Sequence, residues 1–69
     1  MIMTIGFVAY TATGKKDVLF FWNNADYIPR VGEFIKLESL GYHDTGNKSV
    51  MVQRILWQNK NEVEITVGL

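Results

Sequence analysis

Chemistry in this chain would have to start from one imidazole. His43 is the only histidine, there is no cysteine, and Asp44, Thr45 and Ser49 lie close to it in sequence. A Ser/His/Asp or Thr/His/Asp set can be drawn from these residues. Nucleophilic catalysis needs the base oriented by a third group, an oxyanion donor, and a cleft that separates pKa values. His43 and Asp44 are instead sequence neighbours in a glycine-containing polar loop, so the expectation is a solvated loop and no catalytic centre. Asp44, Gly46 and Asn47 have the spacing of a calcium-loop fragment, but the further carboxylates and the closing bidentate glutamate are missing. One histidine and no thiolate also cannot make a zinc cluster. The expectation is therefore no metal, no cofactor and no enzyme. Thr13-Gly14-Lys15-Lys16 sets a glycine beside lysines without P-loop spacing or a following helix. It is read as a hairpin tip.

The residues with functional content are aromatic. Val18-Leu19-Phe20-Phe21-Trp22 is an unbroken apolar run, and Tyr27, Phe34 and Tyr42 fall in or beside loops. A strand alternates its side chains between two faces. With Leu19 and Phe21 inward, Phe20 and Trp22 point outward. The candidate contact surface is then Phe20, Trp22, Tyr27 and Tyr42, with Arg30 and Lys36 as its polar rim. Small β-barrels use such rings to hold extended peptides or stack bases. The alternative is that the same rings fill the core of an undersized domain or cover one another across strands.

These rings need elements to place them, and the pattern supplies strands. Residues 62–69, Glu-Val-Glu-Ile-Thr-Val-Gly-Leu, alternate polar or small with apolar. That is a strand with one buried face. Asn59-Lys60-Asn61 before it is turn chemistry. Across 49–58, Val50 and Val52 keep one parity and Ile55 and Trp57 the other. One extra residue near Gln53-Arg54, a β-bulge, reconciles them and places Trp57 in the core. Residues 3–10 put Ile5, Phe7 and Ala9 on one face. Residues 18–23 form a second strand after a loop pivoting on Gly14, and 33–38 a further one with Ile35 and Leu37 inward. Asn24 is a candidate cap for one helical turn over 24–28, which Pro29 would end.

The sequence thus predicts one all-β domain over 1–69: a small, five-stranded, strongly curled antiparallel barrel with at most one helical turn near 24–28. A chain of 69 residues without disulfides has little stability margin. Its 48% hydrophobic and 13% aromatic composition points to a dense aromatic core, self-association, or both.

Pro29-Arg30-Val31-Gly32-Glu33-Phe34-Ile35-Lys36-Leu37, followed by Val50 to Trp57 and a closing alternating strand, resembles small bacterial and prophage-encoded SH3-like barrel proteins of unassigned function. In that pattern the Gly-acid pair opens the strand after a long loop. The resemblance spans 29–69 and implies an SH3-like fold. It departs from the pattern at Gly41 to Lys48, a polar loop where a tight turn is usual.

Seven basic and seven acidic side chains cancel. Zero net charge weighs against nucleic acid, whose phosphates demand a basic footprint. The apolar start, Met1 to Ile5, is too short for a signal peptide and runs into strand pattern, so the expected location is cytoplasmic and away from membranes. The leading expectation is a module that binds a protein partner or its own copies. A second is a single-stranded nucleic-acid binder using the same rings, with Lys15, Lys16, Lys36 and Arg54 on the backbone. A third is an accessory domain of an enzyme complex.

Overall fold

The computed structural model describes residues 3–40 and 49–68, and the side chains of 39 and 40 are outside that description. Five strands follow the expected order: β1 (Met3–Tyr10), β2 (Lys16–Ala25), β3 (Phe34–Lys36), β4 (Ser49–Asn59) and β5 (Glu62–Gly68). They form one sheet in the order β2-β1-β5-β4-β3. The sheet curls through 221° into a half-barrel.

The expected all-antiparallel arrangement is corrected at the centre. β1 and β2 are antiparallel, as are β3–β4 and β4–β5, but β1 and β5 run parallel, with Ile5 opposite Val63 and Phe7 opposite Ile65. The physical reason is the path of the chain. After β2 it crosses to the far side of the sheet, enters β3, and meanders back through β4 and β5. β5 then arrives beside β1 pointing the same way.

The core lies on the concave face, where period two places it. Ile5 and Phe7 of β1, Ile35 of β3, Val50 and Val52 of β4, and Val63, Ile65 and Val67 of β5 are buried in one cluster. The register of β4 against β5 shifts between Val52 and Arg54, so the bulge expected from the parity switch is present. A second shift falls between Trp57 and Asn59.

The helical turn expected at 24–28 is absent. β2 continues to Ala25, and Asn24 takes a left-handed φ of 60° inside it. The one short helical element described is a 3-10 turn at Leu37–Leu40, which ends β3 and buries Leu37. Asparagine tolerates positive φ, so Asn24 absorbs a strand irregularity where a cap was expected. Turns fall where their residues demand them. Gly14, at φ 85°, closes the β1–β2 hairpin by donating its N–H to the Thr11 carbonyl at 2.9 Å. Gly32, at φ 94°, donates to the Val52 carbonyl at 2.8 Å and lets 31–33 lie along β4 before β3 begins.

Candidate interaction surface

The apolar run of β2 divides between the faces differently from strict alternation. Opposite β1, Phe7 faces Phe20, Gly6 faces Phe21, and Ile5 faces Trp22, while Val8 faces Val18. Leu19 is the extra residue between Val18 and Phe20, and a second irregularity at Asn23–Asn24 separates Trp22 from Ala25. Each bulge resets the parity. Phe20 and Trp22 therefore pack, half-buried, against the concave core, and Phe21 turns to the convex face with 53% of its surface exposed. This reverses the expected assignment, in which Phe20 and Trp22 pointed out and Phe21 in.

The rings of the concave side are held by neighbours. Phe20 stacks on Phe7 with centroids 6.3 Å apart and an interplanar angle of 17°. Trp22 meets Tyr27 edge to face at 5.2 Å and 76°. Tyr27 is exposed beyond that contact, so two of the predicted residues do come together, with Trp22 as support and Tyr27 as the wet surface. Beside them Met3, Ala25, Asp26 and Ile28 frame a shallow hollow.

Arg30 is exposed in the bend before β3, where its backbone N–H donates to Glu33 Oε1 at 2.5 Å. Lys36 is exposed at the end of β3, opposite Ser49. β3 and β2 occupy opposite ends of the strand order, so Lys36 is not on the strand that carries Phe20 and Trp22. Tyr42 lies outside the described residues, as do His43, Asp44 and Thr45. Among the described residues no group of three or more histidine or acidic side chains could hold a metal ion.

Sequence reasoning missed the convex face. There Gly6, Val8, Val18, Phe21, Lys16 and Glu64 are among the residues lining a groove of about 190 Å³. Gly6 allows Phe21 to lie close, since a Cβ at Gly6 would stand 3.1 Å from the ring's Cε1. Lys16 Nζ is 3.0 Å from Glu64 Oε2, and hydrogen bonding and charge from Glu64 push the Lys16 ammonium above its ordinary pKa. At the β3 edge Phe34 is 70% exposed opposite half-exposed Met51. Trp57, expected in the core, is 53% exposed. It shares the parity of Val63, its partner on β5, but sits near the turn end of the hairpin, just before the second bulge.

No family model, curated protein or solved structure matches the chain.

Proposed function

We propose that this domain is a non-enzymatic, cytoplasmic interaction module that works by protein–protein contact, self-association included. One observation carries the reading: β2 is an edge strand of ten residues whose convex side exposes Phe21 and Val18, backed by a packed layer of aromatic rings. Edge strands present backbone groups that accept an added strand, and contiguous exposed apolar surface marks contact sites. The described residues contain no helix long and apolar enough to cross a membrane.

The charge arrangement favours protein over single-stranded nucleic acid. Lys16, the basic residue of the convex groove, is bonded to Glu64, and Glu62 lines the same groove. A strand-binding channel combines rings with basic side chains left for phosphate. The SH3-like resemblance belongs to the same reading. The bend at Val31–Gly32, delivering a short β3, supports it; the parallel β1–β5 pair departs from an all-antiparallel barrel.

A photo-crosslinking phenylalanine analogue at position 21, compared with one at Asn61 on the β4–β5 turn, tests the reading in cells. The expected result is discrete adducts from position 21, to a second copy or to another protein. Adducts no stronger than those from position 61 would overturn it.

A further inference from the structure

We infer that β2 is completed by β2 of a second copy, antiparallel about a two-fold axis through Phe21. This rests on the interaction-module reading and names its partner. A two-fold strand pair is self-complementary: each residue meets the one equally far on the other side of the axis, and both must face the same way. β2 meets that condition next to the axis and towards its ends, though not at the bulge pair Leu19 and Asn23, where Leu19 packs on the core and Asn23 bonds Thr4. Phe20 and Trp22, one step either side of Phe21, both face the concave core. Asp17 and Ala25, four steps either side, both pair with residues of the concave parity of β1, Ala9 and Met3. Lys16 and Asp26, five steps away, are both exposed.

The irregularities obey the same symmetry. The unpaired Leu19 lies two steps before Phe21, and the bulge at Asn23–Asn24 begins two steps after it. Edge bulges ordinarily disrupt pairing with another chain. Here an antiparallel copy sets the Leu19 bulge opposite Asn23 of its mate, so the register on both sides of the centre survives.

Charge gives the direction. Lys15 immediately precedes β2, Lys16 and Asp17 begin it, and Asp26 immediately follows its C-terminal end, so the net charge is positive before the strand's apolar stretch and negative after it. Antiparallel pairing adds Asp26 of the second copy as a further partner for Lys16, whose ammonium already donates to Glu64 Oε2 of its own chain and has donors to spare, twice per dimer. No charge lies in the stretch 18–25 between them. Phe21 meets its own counterpart on the convex face, and Phe20 lies opposite the second copy's Trp22. A net charge of zero removes the overall repulsion that would oppose association.

Sedimentation equilibrium of the full chain, alone and in mixtures, tests the inference. Wild type is expected to dimerise. Asp26→Lys and Lys16→Glu are each expected to shift towards monomer, because each sets like charges opposite one another. Mixing the two is expected to restore a dimer, since the heterodimer regains both opposite-charge pairs. Circular dichroism checks that each variant is folded, and Asp26→Lys with Phe21→Asp decide the matter if loss of the Glu64 pair unfolds Lys16→Glu. A wild type monomeric at every concentration overturns the inference, as does a dimer indifferent to these variants and to Phe21→Asp. A monomer whose position 21 still crosslinks to a different protein would sink the dimer alone. Absence of both would sink the function reading as well.

Discussion

Phe21 of β2 lies over Gly6 of β1, its cross-strand partner, so closely that a single added methyl at Gly6 would stand 3.1 Å from the ring. The glycine is buried and the ring is half-exposed, so the ring yields if anything does. Gly6→Ala should therefore be nearly neutral in stability, the ring moving by a few tenths of an ångström. Gly6→Val should cost about 1–3 kcal/mol through overpacking and displace Phe21 from its seat. Urea melts measure the first effect, and the aromatic proton shifts of Phe21 report the second.

The two tryptophans have different structural roles. Trp22 packs on the core and on Tyr27, whereas Trp57 is more than half exposed. Trp22→Ala should cost ~2–3 kcal/mol, less than a fully buried tryptophan because part of it is already wet, and Trp57→Ala under ~1 kcal/mol. Iodide should quench the Trp57 emission of a Trp22→Phe variant more strongly than the Trp22 emission of a Trp57→Phe variant. Equal quenching would contradict the assignment.

Much of the architecture can be read from residue order, and where it cannot the reason is local. Period two from 62 onward, the parity switch between Val52 and Ile55, and the glycine and asparagine turns define β4, β5 and their bulge without coordinates. β1 begins and ends where its alternation does. The faces of β2 are not legible this way, because a run with no polar residue gives parity nothing to anchor to. Its two bulges, at Leu19 and Asn23–Asn24, then invert the assignment of Phe20, Phe21 and Trp22. The parallel β1–β5 pair depends on where the chain crosses after β2, which no local pattern encodes. Trp57 has the parity of the core, but exposure follows from its place at the strand's end. Of the expected contact residues, Tyr27 is exposed and Trp22 supports it; Phe21 and Val18 emerge only from the structure.

Asn24 should behave as a conformational specialist. At φ 60° it occupies a region that costs a β-branched residue about 1–2 kcal/mol and glycine almost nothing. Asn24→Val should lower stability by about that amount and disturb the bulge, while Asn24→Gly should change it by a few tenths of a kcal/mol. Chemical denaturation of both variants, with amide shifts at Asn23 and Ala25, checks the prediction.

The Lys16–Glu64 pair gives a small alkaline signature. The Lys16 pKa is raised above 10.5 by the hydrogen bond and then the charge of Glu64. A raised folded-state pKa means that the pair's stabilisation is fully present below 10.5 and is lost as pH climbs through the higher folded value. The effect is modest because the ammonium is solvated. The stability difference between wild type and Lys16→Met should therefore be constant at neutral pH and shrink on the alkaline side. A difference that grows there would have the wrong sign.

The central claim is that a second copy completes β2. Amide hydrogen exchange measured residue by residue across a dilution series tests it most directly. Dimerisation predicts that the outward-pointing amides of β2 between Val18 and Ala25, those not already bonded to β1, slow as concentration rises, while those of central β5 stay constant because β1 and β4 already flank it. Exchange along β2 that is the same in dilute and concentrated solution would contradict the claim.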